Sequence, residues 1–225
     1  MKHFLLLGTV LITGVTLLRS QNPQSPSTTA TVHGRIVFTG ALQVRPVNMA
    51  SDPACPQGPQ PNTEGLDDVM IYATPRIQSA HSVPTNRVVL DHLECQFVPH
   101  TLTMQVGQML VLRNSDTRAH NIHAWAEINA SFNLSRAGQL LETTKVFQQE
   151  EVVIPIRDDV HNWENGNVGV FSHPYHRVAK LNGTYEFVVP EGGYEIVAWH
   201  GRLGKQSQKI EIRAGETQTL DFTFK

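Results

Sequence analysis

From residue 97 the chain reads Phe97-Val-Pro-His-Thr-Leu-Thr-Met-Gln-Val-Gly-Gln-Met-Leu-Val-Leu-Arg-Asn-Ser-Asp-Thr-Arg-Ala-His-Asn-Ile-His-Ala124. Leu102, Met104 and Val106 alternate with polar neighbours, the period-two pattern of a strand with one buried face. Turn signals follow at Val106-Gly107-Gln108 and Asn114-Ser115-Asp116. The same alternation recurs at Val32-x-Gly34-x-Ile36-x-Phe38, Tyr185-x-Phe187-x-Val189, Tyr194-x-Ile196-x-Ala198 and Leu220-x-Phe222-x-Phe224. Helical periodicity is nearly absent. Only Ala137 to Gln149 could supply a short helix, and Thr143-Thr144 argues against it. Turns recur about every 8–12 residues, which predicts an all-β chain built as two β-sandwiches.

The 225 residues carry 18 Lys plus Arg against 20 Asp plus Glu, a net charge of -2 that argues against nucleic acid as a partner. Lys2 and His3 precede an apolar stretch from Phe4 to Leu18, flanked by Arg19 and Ser20; the pattern reads as a secretory signal over residues 1–20. Export to the periplasm or the medium follows. The cleavage signal near Ser20 is poor, so an uncleaved anchor stays open, and no later run is apolar enough to span a membrane. Residues 21–30 read as a polar linker. Cys55 and Cys95 are the only cysteines, and in an oxidising compartment their default is a disulfide contributing about 4 kcal/mol. Free thiols serving a metal are the rival.

Residues 180–225 resemble the latter half of a carboxypeptidase-regulatory-like, or transthyretin-like, module through Asn182-Gly-x-Tyr-x-Phe and Gly192-Gly-Tyr-x-Ile-x-Ala. Residues 31–73, with Val32 to Gly40 and Val69-Met-Ile-Tyr72, are similar to that module's first strands. The resemblance implies one sandwich from residues 31–86 plus 179–225, with a second β domain, 87–178, inserted in it or packed on it.

The stretch from Phe97 resembles a cupredoxin: a Pro-containing strand, a Val-x-x-Gly turn, Asn-x-Asp, then His120-Asn121, whose imidazole would be the first copper ligand. The later ligand loop, Cys-x-x-His-x-x-Met in one subgroup, matches Asp158-Asp-Val-His161-Asn-Trp-Glu164. His161 is in place, but Asp158 and Glu164 stand at the thiolate and thioether positions. The chain is similar to exported bacterial cupredoxin-like proteins, often labelled methylamine-utilisation-like. The stretches Asp52-Pro-Ala-Cys55, Val168 to Tyr175 and Ala198 to Gly204 carry that likeness further.

A blue copper centre needs a thiolate to stabilise Cu(I) and to conduct electrons. Replacement by carboxylates leaves His120, His161 and Asp158, with Glu164 as a fourth donor, a set suited to Zn(II), Cu(II) or Fe(II). The resemblance thus implies a degenerate copper site that binds copper, zinc or nothing. A permuted copper site from Cys95, His100, Met104 and His120, serving an electron carrier, has the right spacing but the wrong order. His100, His123, His173 and His200 are second-site candidates, with His173-Pro-Tyr-His176 at chelate spacing; ordinary hydrogen bonding at a domain junction is the alternative. Hydrolase and phosphate-loop motifs are missing, so no catalytic residues are expected. The remaining reading is an envelope scaffold that contacts a glycan or a protein.

Overall fold

A computed structural model describes residues 28–40, 68–74, 81–136, 142–161 and 163–225. The strands are β1 (Thr29–Phe38), β2 (Met70–Thr74), β3 (Val88–Leu93), β4 (Gln96–Val98), β5 (Thr101–Gln105), β6 (Met109–Asn114), β7 (His120–Ala124), β8 (Phe132–Arg136), β9 (Thr143–Val146), β10 (Glu151–Arg157), β11 (Asn165–Phe171), β12 (His176–Val178), β13 (Thr184–Pro190), β14 (Gly192–His200), β15 (Gly204–Ile212), β16 (Thr217–Thr219) and β17 (Phe222–Phe224). No helix interrupts them among the described residues. The signal, Cys55 and residues 137–141 lie outside the described residues. Within Ala137 to Gln149, Thr143–Val146 is a strand on β6, as the two β-branched threonines that argued against a helix favour.

Two cores divide the chain. The first joins both ends: β1 lies between β13 and β16, with β17 also on β1, facing a sheet ordered β12-β2-β14-β15. Alternation builds it, since Val32 and Ile36 of β1 and Tyr185, Phe187 and Val189 of β13 all point into one apolar cluster. Gly34 is required here, because a Cβ would run into the carbonyl oxygen of Leu220. The second core lies between sheets β5-β11-β10-β7-β8 and β4-β3-β6-β9, filled by Leu90, Leu102, Met104, Leu112, Ile122, Ile156 and Val168 among others.

Two boundaries differ from the sequence expectation. Thr29 and Ala30 belong to β1, paired with Pro190 and Val189, so the linker ends earlier. His176–Val178 pairs with β2, placing this strand in the sandwich of the chain ends rather than in the inserted one. Tyr175 is buried in that same core, which draws the chain across before β12 begins.

The register brings one end of the inserted sandwich to a focus. His92 stands opposite Asn114 at the end of the parallel β3–β6 pair, and Arg157, at the end of β10, stands opposite His123 of the antiparallel β7, so the chain leaves β10 toward the start of β7 at His120. The loops 115–119 and 158–164 therefore meet at the same end, and side chains from both sheets converge there.

Candidate metal centre

The loop before β7 folds on its own side chains. Asn114 donates to the carbonyl of Arg118 at 2.6 Å and accepts from the amide of Asp116 at 3.0 Å. That turn aims Asp116 at three donors: the amides of Glu94 and Cys95, at 2.8 and 2.9 Å, and Nε2 of His120 at 2.9 Å. Glu94 and Cys95 have φ of 55° and 58°, a left-handed pair for which the carboxylate supplies acceptors. The arrangement assigns the Nε2 proton of His120 to Asp116 and turns Nδ1 the other way, toward Asp158 and Glu164.

The second loop is a closed ring. The amide of Asp158 donates to the carbonyl of Glu164 at 3.0 Å, and the amide of Glu164 to that of His161 at 2.8 Å. Asp158 Oδ1 accepts the amides of Val160 and His161 at 2.7 and 2.9 Å, the short-range turn that aspartate favours. Its Oδ2 accepts the amide of Asn121 at 2.8 Å, tying this loop to β7.

Four side chains then meet. Nδ1 of His120 lies 3.4 Å from Asp158 Oδ2 and 3.3 Å from Glu164 Oε2; Nε2 of His92 lies 3.2 Å from the same Glu164 oxygen and 3.9 Å from Asp158 Oδ2. The donor atoms of His92, His120, Asp158 and Glu164 all lie within 4.8 Å of one another, and all four residues are buried. His161 sits on the outer side, with Nδ1 3.2 Å from Asp158 and 3.6 Å from Glu164. Donors about 2.1 Å from a tetrahedral ion stand roughly 3.4 Å apart, so these separations match the edges of a metal shell.

Without an ion the cluster is held by ion pairing, and a bound cation would take the place of the proton on Nδ1 of His120. Burial alone would favour neutral His120, yet Asp158, Glu164 and Asp116 raise its pKa to about 10. Burial likewise opposes ionisation of Asp158 and Glu164, but the imidazoles, and for Asp158 three backbone amides, hold both below the usual carboxylate range. Nδ1 of His120, both ring nitrogens of His92 and both Glu164 oxygens are buried without a hydrogen bond. Such groups are costly unless something else satisfies them.

His92 is the residue that sequence reasoning missed. It stacks on His120 with ring centroids 4.4 Å apart and planes 8° from parallel. Val88-Val-Leu-Asp-His-Leu93 reads as a strand; the one available signal was a polar Asp91-His92 pair inside an apolar run.

The permuted copper set does not assemble. Met104 is fully buried in the sandwich core. His100 turns to Asp68 and Asn165, each at 3.1 Å. Cys95 does approach His120, in a group with Asp116 whose donor atoms lie within 4.8 Å of one another, but Cys95 is not a free thiol. Cys55 lies outside the described residues.

The second-site histidines are dispersed. His123 pairs with Asp159 at 2.8 Å and stacks on Trp125 at 4.5 Å. His173 Nδ1 accepts the amide of Tyr175 at 3.2 Å, and its ring is 6.5 Å from that of His176, which stacks on Phe171. Burial, followed by His173 and Arg177, lowers the pKa of His176 to about 3. His200 Nδ1 accepts the amides of Arg202 and Leu203 at 3.3 and 3.2 Å; with that lone pair used, the proton sits on Nε2 and the neutral ring has nothing left to give a metal. Neither group of three or more convergent donors among the described residues contains any of these.

No family model and no curated protein matches the chain. Solved structures similar to part of the chain include a copper-containing nitrite reductase from Thermus scotoductus SA-01, 16% identical over 44% of this chain and 25% of that one, with a TM-score of 0.36. A purple cupredoxin from Nitrosopumilus maritimus is 22% identical over 37% of this chain and 97% of its own, with a TM-score of 0.32. Amicyanin from Paracoccus versutus is 16% identical over 46% and 98%, with a TM-score of 0.34. The chain thus spans a quarter of the reductase.

Proposed function

We propose that this is an exported, non-enzymatic, cupredoxin-like protein whose blue-copper site has become a hard-donor site for a divalent ion, zinc or copper(II). His120, His161, Asp158 and Glu164 are the ligands read from the sequence, and His92 joins them. The observation that carries the reading is the convergence of buried nitrogens and carboxylate oxygens that lack hydrogen bonds. An ion would satisfy them and cross-link β3, β7 and the 158–164 loop.

Electron transfer finds no support in this donor set. Two carboxylates favour the divalent state, and no sulfur occupies the position from which a blue copper centre draws its low reorganisation and its electron path. In this reading Cys95 is joined to Cys55, so the sulfur near His120 is structural and outside the ligand shell. Asp116 is the outer partner that orients His120, as carboxylates commonly do for metal-bound imidazoles.

Equilibrium dialysis of metal-stripped protein against zinc, followed by elemental analysis, tests the proposal. One ion per chain is expected, with loss of binding in a His120→Ala, His161→Ala double variant. Stoichiometry below one tenth, or binding unchanged in the double variant, would overturn it.

A further inference from the structure

On the far side of His120 from the four-residue cluster lies a second convergence of donors. Cys95, Asp116 and His120 each offer one, and the three atoms lie within 4.8 Å of one another. Asp116 sets their placement. It accepts the amides of Glu94 and Cys95 at 2.8 and 2.9 Å and faces Nε2 of His120 at 2.9 Å, so one carboxylate holds the cysteine backbone beside the imidazole. Cys95 and His120 are buried, while the Asp116 side chain keeps some contact with solvent.

A thiolate, an imidazole nitrogen and a carboxylate oxygen together suit zinc. Around a tetrahedral ion with sulfur at about 2.3 Å and lighter donors at about 2.0–2.2 Å, sulfur stands roughly 3.5 Å from its neighbours. The three atoms straddle that figure, with 2.9 Å between Asp116 and His120 and at most 4.8 Å elsewhere, a spread that rotation of one cysteine side chain can take up. What withholds the site is the other bond of the sulfur. Cys95 is disulfide-bonded, and Cys55 is the only other cysteine in the chain. Zinc is bound by a thiolate, which a disulfide does not offer.

We propose that reductive opening of this disulfide creates a second zinc site, formed by Cys95 Sγ, a carboxylate oxygen of Asp116 and Nε2 of His120. A dithiol supplies the two electrons: the S–S bond breaks, both cysteines become thiols, and the dithiol leaves as a cyclic disulfide. Zinc then displaces the thiol proton of Cys95 and the Nε2 proton of His120 to solvent, and Asp116 turns from that proton to the ion. With an ion also on Nδ1, His120 becomes a bridging imidazolate. The ring and four anionic side chains, Asp116, Cys95, Asp158 and Glu164, then balance two divalent ions to within one charge. The bridge rests on the inner centre of the proposed function; the sulfur site itself does not, since it uses the opposite edge of the ring.

The test loads the mature chain with zinc before and after reduction by dithiothreitol, which is removed under nitrogen once both thiols are counted. Bound zinc should rise by one ion per chain, and absorption at the zinc edge should gain a sulfur scatterer near 2.3 Å. Two variants lose the disulfide equally but differ in the thiol they keep. Cys55→Ser should show the sulfur contact without reductant, and Cys95→Ser should show none under any condition. The proposal is overturned if reduced parent protein takes up no further zinc, if it or Cys55→Ser shows only light scatterers, or if Cys95→Ser gains the same sulfur signal. Absence of zinc from the unreduced parent overturns the inner centre alone, and a sulfur-bound ion after reduction would still establish this one.

Discussion

Replacing Asp116 by asparagine probes the centre from outside its ligand shell. The carboxylate receives three donors at 2.8 to 2.9 Å, from Glu94, Cys95 and His120. An amide offers one oxygen and one NH2, so at least one of those donors would face another donor. If the misplaced group falls on His120, the ring turns or changes tautomer and Nδ1 no longer points at Asp158 and Glu164. Losses at such outer partners run to about 10–100-fold in metal affinity, or about 1.4–2.7 kcal/mol. The unsatisfied donor costs the metal-free fold about 1–3 kcal/mol besides. Competition of zinc against a chromophoric chelator reads the affinity, and chemical unfolding of stripped protein reads the stability. Asp159→Asn is the control, since Asp159 pairs with His123 at the surface. Zinc affinity within twofold of the parent in Asp116→Asn would refute the assigned tautomer and with it the aim of His120.

Further outcomes follow from other parts of the molecule. Zinc at about 100 times its dissociation constant should stabilise the folded chain by about 2.7 kcal/mol, seen as a rise in melting temperature that a chelator reverses; no rise would contradict preferential binding to the native state. Glu151 accepts the amides of Glu127 and Asn129 at 2.6 and 2.9 Å and the side chain of Asn129 at 2.9 Å. Burial opposes its charge, but these bonds lower its pKa, so its contribution is present above the unfolded value of about 4.5 and disappears as pH falls through the lower folded value. Glu151→Gln should therefore flatten the acid limb of the stability curve; an unchanged limb would argue against the anchor. Gly34→Ala should cost the end-to-end sandwich at least about 3 kcal/mol, because the added methyl meets backbone rather than a movable side chain. Near-parent stability by denaturant titration would show that β1 can shift.

The strands were legible where one face is buried and the other wet: Val32 and Ile36, Tyr185 and Phe187, and Phe222 and Phe224 alternate in sequence and in space. The strand at Thr143–Val146 was less legible, since it is short and its neighbours are polar. His176–Val178 was assigned to the other sandwich because pairing with β2 is a contact between residues about a hundred positions apart, which local pattern cannot register. In the centre, Asp158, His161 and Glu164 were named through the resemblance of their loop to a cupredoxin ligand loop; Asp158 and Glu164 fall in the group of convergent donors, and His161 lies beside it. His92 was not, since it enters from the opposite sheet through the parallel β3–β6 pairing, and the polar Asp91-His92 pair in its apolar strand does not say what it faces. The approach of Cys95 to His120 was read from the sequence only as part of the permuted copper set, which does not assemble. It depends on the turn at Glu94 and Cys95 and on Asp116 reaching across to hold it.

The claim that matters most is that nitrogen and oxygen, without sulfur, form the shell of the ion. X-ray absorption at the zinc edge of the loaded, unreduced protein tests it directly. The spectrum should fit only light scatterers at about 2.0–2.2 Å, from imidazole and carboxylate. A sulfur scatterer near 2.3 Å would place Cys95 in the shell and contradict the carboxylate centre.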